Sequence, residues 1–412
     1  MREMKPSSME WVGDIPASWK VMPNKYLMHK KKEICPVYNG EDILSLTMKG
    51  VIVRDLDAGG KMPAFFDGYQ RLEPGNLLMC LFDIDVTPRC IGLIKQAGLS
   101  SPAYSQFVLC DDANAAYYCY YYTMLDNDKT LLHLAKNLRH SLTEDQLGAI
   151  PVIVPPTDEQ QRIADFLDAK CAEIDVLTAD IQTQIDTLEQ YKRSVITETV
   201  TKGLNPNAEM KDSGIEWVEQ MPMSWNTVPI KYLMYKIKSI CPIYNGENIL
   251  SLTTNGVIIR DLNGGGKMPT SFDGYQKIVP GNLLMCLFDI DVTPRCIGLI
   301  KDFGLTSPAY SQFAMKDGAY APYYYYYYLM VDYTKELLHM AKNLRHSLTE
   351  DQLGAIKAPR PPYDEQIQIA EYLDNKCSEI NQVIADKNNQ LTTLDKYKKS
   401  LIFEYVTGKK EV

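Results

Sequence analysis

The sequence lacks the features that would place it in a membrane or outside the cell. No run of about 18 uninterrupted apolar residues occurs, so we expect no membrane span. The first residues, MREMKPSSMEW, contain no apolar stretch of the kind that a secretion signal needs, and we expect a cytoplasmic protein. The ten cysteines include no Cys-x-x-Cys pair, and none lies near a histidine at metal-ligand spacing. These absences predict reduced thiols in a protein core and no metal site.

The sequence also lacks the motifs of an enzyme. AGGK at 58–61 and GGGK at 264–267 are followed by methionine where a phosphate-binding loop needs Ser or Thr, which favours glycine hairpins. The RPPY segment at 360–363 is similar to the Asn/Asp-Pro-Pro-Tyr motif of amino-methyltransferases, but arginine stands where an amide or acid must accept the target amine's hydrogen bond. Asp83 and Asp85 would share one face of a strand, yet no further ligand cluster accompanies them. We therefore assign no catalytic residue.

A positive net charge, the usual mark of a nucleic-acid-binding protein, is missing as well. The net charge is -9. Residues 157–210 alone hold 5 basic and 11 acidic side chains, which is two-thirds of the acidic excess. The rest of the chain is near neutral and can still hold a basic face, so charge does not exclude DNA binding.

What the sequence does contain is one block written twice. Shifting the 412-residue chain by 206 positions, the separation of Trp11 and Trp217, aligns it with itself almost without gaps. Two segments repeat letter for letter: PGNLLMCLFDIDVTPRCIGLIK at 74–95 and 280–301, and AKNLRHSLTEDQLGAI at 135–150 and 341–356. So faithful a copy indicates two halves that act alike on two equivalent targets, such as paired subunits or duplex DNA.

Each copy divides into a globular part and a long helix. Short β-rich runs (ILSLT, GVIVRDL, NLLMCLF and CIGLIK) are separated by NG, GG and DG turn signals, and a tyrosine-rich run and a helix follow. We place the tyrosines mainly in the core, with stacking on bases as the alternative. The predicted class is α+β, with two similar globular domains at 1–156 and 211–362, long helices at 157–203 and 363–408, and a linker at 204–210.

A heptad pattern runs through both long helices. In the first copy Leu167, Ile174, Ile181, Leu188 and Val195 recur every seven residues, and Cys171, Leu177, Ile185 and Tyr191 fill the alternate positions. We expect helix N-caps at Asp158 and Asp364, and a polar interruption at Lys387, the counterpart of Ile181. Helices of roughly 60 Å with such stripes need a partner, so we predict that the two pair as an antiparallel coiled coil with a globular domain at each end.

Three motifs in this chain resemble those of the specificity (S) subunit of type I restriction–modification systems, and the resemblance covers the whole length. They are GIEW-x-x-x-x-P-x-x-W followed by KYL, LFDIDVTPR, and PP-x-(D)EQ-x-x-I-A-x-(F/Y)LD at the start of each long helix. The family's order of recognition domain and helix, twice, is also present.

The resemblance implies a subunit without catalysis of its own and without a cofactor. Each recognition domain would read one half of a split sequence in double-stranded DNA. The helices would set the spacer and dock two methyltransferase (M) subunits, which carry S-adenosylmethionine and methylate adenine. Restriction (R) motor–nuclease subunits, which use ATP and Mg, would join for cleavage.

The near-identity of the two copies departs from the family, whose recognition domains usually differ. We therefore expect the DNA target to be an interrupted palindrome. Small differences between the half-sites are expected where the copies differ, because Ala64 and Phe65 correspond to Thr270 and Ser271 in the repeat, and Gln96 and Ala97 correspond to Asp302 and Phe303. An asymmetric bipartite target would contradict this expectation.

Candidate DNA contacts are polar residues of predicted loops that occur in both copies. Arginine against guanine is the commonest specific contact, so Arg89 and Arg295 lead. The full set is Lys61, Thr87, Arg89, Tyr104, Ser105, Gln106, Arg139 and His140, with Lys267, Thr293, Arg295, Tyr310, Ser311, Gln312, Arg345 and His346 in the second copy. A structural role competes with a contact role at each position. Two other functions stay open: part of an enzyme that combines recognition with methylation or cleavage, and a coiled-coil scaffold that does not bind DNA.

Overall fold

The computed structural model describes residues 2–57, 63, 65–135, 140–263, 269–341 and 346–412. The chain forms two compact units, which we call unit 1 (1–181 with 388–412) and unit 2 (182–387). Each unit contains one globular part and one section of each long helix. In the described part of the chain, no helix is long and apolar enough to cross a membrane.

The elements of the first copy are the strands β1 (Met4–Pro6), β2 (Asp14–Pro16), β3 (Lys20–Pro23), β4 (Met28–Lys31), β5 (Leu44–Thr47), β6 (Gly50–Val53), β7 (Gln70–Leu72), β8 (Leu77–Met79), β9 (Ile91–Leu93), β10 (Gly98–Ser100), β11 (Ser105–Leu109) and β12 (Pro151–Val154), and the helices α1 (Ala115–Asn127), α2 (Glu144–Ala149) and α3 (Thr157–Lys202). Short 3-10 helices lie at Asn24–Tyr26 and Thr130–Leu134.

The elements of the second copy are the strands β13 (Met210–Ile215), β14 (Val218–Pro222), β15 (Asn226–Pro229), β16 (Met234–Ile237), β17 (Leu250–Thr253), β18 (Gly256–Ile259), β19 (Gln276–Ile278), β20 (Leu283–Met285), β21 (Ile297–Leu299), β22 (Gly304–Thr306), β23 (Ser311–Met315) and β24 (Lys357–Arg360), and the helices α4 (Ala321–Tyr333), α5 (Glu336–Met340), α6 (Glu350–Ala355) and α7 (Tyr363–Val406). A 3-10 helix lies at Ile230–Tyr232. The predicted α+β class, with two similar globular parts and two long helices, is confirmed.

A four-stranded antiparallel sheet in the order β4-β11-β8-β9 forms the middle of the first globular part. Its counterpart in unit 2 has the order β16-β23-β20-β21. The remaining strands pair in twos, including β3 with β12 and β15 with β24. The four β-rich runs of the first copy contain β5, β6, β8 and β9, as the turn signals predict.

The tyrosine-rich runs are the core helices α1 and α4, and α1 packs on β9. Tyr117, Tyr118, Tyr121 and Tyr122 are buried, so the predicted core role is confirmed for them. Most buried phenols have a hydrogen-bond partner. Tyr117 donates to the carbonyl oxygen of Val406 at 2.8 Å, and this bond ties the helix to the end of α7.

The motif that opens each long helix fastens the helix to the globular part. Trp19 donates its indole N–H to Glu159 at 2.9 Å, and Trp225 does the same to Glu365. This explains the spacing of the domain opener and the DEQ motif, since one supplies the indole and the other its acceptor. The expected N-caps are wrong: Asp158 lies inside the first turn of α3, where its charge meets the positive end of the helix dipole.

Each long helix ends at a glycine in the left-handed region. Gly203 has φ +75° and Gly408 has φ +71°. A Cβ on Gly408 would lie 2.9 Å from the ring of Trp19, and a Cβ on Gly203 would lie 3.2 Å from the ring of Trp225. Any other residue would therefore be strained at both positions. At Gly408 its Cβ would also collide with the indole of Trp19, and at Gly203 it would lie 2.8 Å from Oε1 of Glu365.

The long helices pair antiparallel within each unit. In unit 1, the Lys398 ammonium forms an ion pair with Asp175. In unit 2, the repeat-equivalent residue Lys192 donates a hydrogen bond to the side-chain oxygen of Asn381 at 3.0 Å. Two predicted seam positions are wrong, since Leu177 is 48% and Tyr191 50% exposed. Core positions of a heptad are alternately four and three residues apart. The seam therefore runs from Ile174 to Thr178 and from Leu188 to Lys192, one residue after each predicted position. Lys387 bonds Gln184 within unit 2.

Candidate functional site

The connection between β8 and β9 carries the identical LFDIDVTPR segment as a protruding loop. The backbone bond from Cys80 N–H to the Cys90 carbonyl (2.9 Å) closes its base, and we call its outer part the 83–89 loop. Val86 and Thr87 both donate their backbone N–H to the carbonyl oxygen of Asp83, at 3.2 and 2.9 Å. Asp83 itself has φ +47°, a left-handed conformation that costs an L-residue about 1–2 kcal/mol. Aspartate tolerates this region better than most residues, and the surrounding contacts must hold it there.

His140 fastens one side of the loop. Its carbonyl oxygen accepts the N–H of Ile84 at 3.2 Å, and its Nδ1 lies 2.9 Å from Oδ2 of Asp85. His140 also has a left-handed backbone, with φ +44°. The hydrogen bond from His140 is the main reason that the pKa of Asp85 is lowered, so this carboxylate stays ionised. The predicted strand-face pair of Asp83 and Asp85 is wrong, because both residues lie in a loop and Asp85 is bonded to the histidine.

Asp126 and Lys129 fasten the other side. The Lys129 ammonium donates to the Thr87 carbonyl (2.7 Å) and to Asp126 (2.8 Å), and Asp126 accepts the Cys90 N–H at 2.9 Å. A buried carboxylate such as Asp126 is tolerated only when partners of this kind compensate its charge. Burial, with the Asp126 charge adding to it, raises the pKa of Cys90 to about 12, so the thiol is neutral and unreactive at ordinary pH.

Unit 2 builds the same arrangement. His346 bonds Asp291 at 2.9 Å and lowers the pKa of that carboxyl, and Lys335 donates to the Thr293 carbonyl at 2.7 Å. Asp332 accepts the Cys296 N–H at 2.9 Å. The left-handed residues of this loop and its supports are Asp289, Lys335 and His346. The 289–295 loop is therefore held by the same contacts as the 83–89 loop.

Thr87 and Arg89, the leading contact candidates, are half-buried within the loop. The Thr87 hydroxyl lies 3.8 Å from the Cys80 thiol. Burial raises the pKa of Cys119 to about 11, and the nearby charge of Arg89 opposes that rise. In unit 2, burial likewise raises the pKa of Tyr325 and the charge of Arg295 opposes it. Each arginine thus lies beside the tyrosine-rich helix, and its contact with DNA stays a prediction, as does that of Thr293.

Tyr104 lies against the start of the loop. Its ring stacks on Phe82, with ring centroids 6.2 Å apart, and Tyr310 stacks on Phe288 in the same way. Burial raises the pKa of Tyr104, so its hydroxyl stays protonated. The structure therefore brings Tyr104 and His140 together around the loop that carries Thr87 and Arg89.

Ser105 and Gln106 are corrections to the predicted set. Both belong to β11 and are buried, and Gln106 is 0% exposed. The Gln106 carbonyl oxygen accepts from Glu73 N–H at 2.8 Å, and its amide donates to the Arg71 carbonyl at 3.0 Å. A side chain so enclosed cannot reach a base edge, so its role is to hold the domain together. The same holds for Ser311 and Gln312.

The remaining candidates, Lys61, Arg139, Lys267 and Arg345, lie outside the described residues, as does Ala64. Within the described ranges, no group of three or more His, Cys, Asp or Glu side chains is placed to hold a metal ion.

Sequence reasoning missed the residues that shape the loop. Lys129 and Asp126, which fasten the loop, carry no motif of their own. One signal was available, because the contact between Asp85 and His140 joins the two segments that repeat letter for letter. The arrangement offers no activated nucleophile among these residues. It offers a rigid loop with exposed polar and apolar groups, which suits recognition of a partner surface.

Comparisons with known proteins agree with this fold. A family model described as the type I restriction modification DNA specificity domain matches residues 103–187. Two relatives from Methanocaldococcus jannaschii are each 25% identical over 276 and 287 residues: the type I restriction enzyme MjaVIII specificity subunit and the putative type I restriction enzyme MjaX specificity subunit. These matches cover 63% and 65% of this chain but only 62% and 61% of the relatives' length.

A solved chain from a study of complex assembly and conformational transition in the type I R-M system shares the fold, with a TM-score of 0.70 at 13% identity. The match covers 96% of this chain and 99% of the solved one. The chain is therefore similar to type I restriction–modification specificity subunits in the family model that it matches over residues 103–187, in these relatives and in its fold.

Proposed function

We propose that this chain is the DNA-recognition subunit of a type I restriction–modification complex and that each globular part reads one half of a bipartite site. The observation that carries the proposal is the recurrence, in both units, of one exposed loop with the same supports. Readout of base edges needs side chains presented from a rigid backbone. In the first copy, the left-handed residues Asp83 and His140 and the buried carboxylate of Asp126 hold the loop in one conformation, although each is energetically unfavourable by itself. Since the two loops are identical in sequence, the half-sites are expected to be the same sequence on opposite strands.

The partners belong to the same proposal. The long helices present exposed apolar side chains outside their seam, including Val176, Leu177 and Val383, which suits docking of two methyltransferase subunits. Those subunits would bind S-adenosylmethionine and methylate adenine, and restriction subunits using ATP and Mg would join them. The chain itself would bind DNA without catalysing a reaction.

The test is selection from a randomised duplex pool, with the chain alone and copurified with its methyltransferase subunits. Affinity is then measured by fluorescence anisotropy at two salt concentrations on the selected site and on a permuted duplex of equal length. We expect the selected site to be an interrupted palindrome. The logarithm of the binding constant should fall linearly with the logarithm of the salt concentration, with a slope of about -0.9 for each phosphate that the protein neutralises. Binding that is absent at low salt would overturn the proposal in favour of a scaffold. Methyl transfer by the chain alone would favour an enzyme.

A further inference from the structure

An apolar residue, Val86 or Val292, is exposed at the tip of each loop. Among the described residues, four large apolar side chains are more than 70% exposed: Phe65 (76%), Val86 (73%), Val292 (73%) and Phe303 (71%). Phe65 has Ser271 as its counterpart, and Phe303 has Ala97. Of these four, only the valine recurs in both copies; other matched pairs, such as Val37 and Ile243 at 58% and 66%, are less exposed. Single exposed apolar residues are common and need no explanation, but a repeated one at the tip of a supported loop does.

The backbone fixes the position of this valine from both sides. Val86 N–H is bonded to the Asp83 carbonyl, and the preceding Ile84 side chain is buried as an anchor. Asp85 is held by His140, and the carbonyl of Thr87 is held by Lys129. The branched side chain also has few rotamers, so little conformational entropy is lost when it makes contact.

The neighbours of Val86 indicate which part of DNA it meets. Asp83 and Asp85 are exposed carboxylates that would repel phosphates, so the tip does not suit the backbone of a duplex. Carboxylates do suit the major groove, where cytosine N4 is a donor. The apolar feature that the major groove presents is the thymine 5-methyl group.

We propose that Val86 and Val292 each contact the 5-methyl group of a thymine in the major groove of a half-site. The inference rests on the proposed function and adds a specificity-determining residue to it. It predicts that each selected half-site contains a thymine whose methyl group contributes to affinity. Burying one methyl group contributes about 0.8 kcal/mol, which is about fourfold in affinity per half-site and roughly 15-fold for both.

The test replaces each thymine of the selected duplex in turn with deoxyuridine, which removes the methyl group and leaves the base pair intact. The wild-type chain should lose about fourfold in affinity at one thymine position of each half-site. V86A with V292A should bind the thymine duplex more weakly and should no longer distinguish thymine from uracil. V37A, which alters a valine 58% exposed outside the loops and the long helices, is the matched control and should retain the discrimination.

The outcomes separate this inference from the proposed function. A chain that selects no sequence would overturn both. A chain that selects a site but shows equal affinity for thymine and uracil at every position would overturn the valine contact alone. So would a double variant that keeps the full discrimination. Circular dichroism of the variants checks that their fold is unchanged.

Discussion

Replacing His140 and His346 with glycine tests whether these histidines position the loops for DNA binding or only contribute to the free energy of unfolding. Glycine relieves the left-handed strain, about 1–2 kcal/mol per site, but adds roughly 0.5–1 kcal/mol of backbone entropy cost. It also removes the hydrogen bond between the side chains of His140 and Asp85, which are 46% and 35% exposed in unit 1; such a bond contributes about 0.5–1.5 kcal/mol. These contributions nearly cancel, so each glycine variant should unfold within about 1 kcal/mol of wild type.

Alanine at the same positions provides the matched comparison. It loses the same hydrogen bond but keeps the left-handed strain, so H140A with H346A should be less stable than the glycine variant by about 1 kcal/mol per unit. Both variants remove the hydrogen bond that fixes the Asp85 side chain, so Asp85 and its neighbours can adopt more conformations. Reordering the backbone of one residue on binding costs about 1–2 kcal/mol, so specific affinity should fall about tenfold per half-site in both.

The assay pairs chemical denaturation with anisotropy on the selected and the permuted duplex. If the histidines position the loops, affinity for the selected site falls in both variants, whatever their stability, and binding to the permuted duplex is unchanged. If affinity instead follows stability, so that the glycine variant binds within twofold of wild type, the positioning argument is refuted.

Three further predictions concern the same site. R89A with R295A should abolish the preference for the selected duplex while leaving the circular dichroism spectrum unchanged, and an unaltered footprint would remove both arginines from the contact set. Q106L should destabilise unit 1 by about 1–3 kcal/mol because it leaves the Glu73 N–H unpaired, as denaturation would show. Because folding lowers the pKa of Asp85, its contribution to stability is complete above the ordinary value of 3.8 and is lost as pH falls through the lower folded value. Acid titration of D85N with D291N should therefore show a weaker loss of stability below about pH 4 than wild type.

The long helices were predictable because their information is local. The heptad stripe predicts helices at 157–203 and 363–408, and the structure has Thr157–Lys202 and Tyr363–Val406. The errors at Leu177 and Tyr191 arose because a residue beside a seam is often apolar too. Burial of the tyrosines was also predictable, since five tyrosines in six positions (117–122) or six in a row (323–328) cover every face of a helix.

The candidate site was only partly predictable, because its contacts join distant parts of the chain. Nothing near Asp85 in the sequence indicates that His140 bonds it, and nothing near Cys90 indicates Asp126. Gln106 was placed with the contact residues because it is polar and recurs in both copies within a proline-initiated segment that was predicted to be a loop. In a strand such as SQFVL, polar and apolar positions do not alternate cleanly, so the buried face could not be identified.

The composition of unit 1 from two distant stretches has a consequence for the order of synthesis on the ribosome. Unit 2 is one continuous stretch and is fully synthesised once Lys387 has been added. Unit 1, although its globular part is translated first, needs the C-terminal residues that bring Val406 to Tyr117 and Gly408 to Trp19. The half of the protein that is translated first is therefore completed last. Its core surface stays uncovered until Leu401, Ile402 and Val406 of α7 have been synthesised.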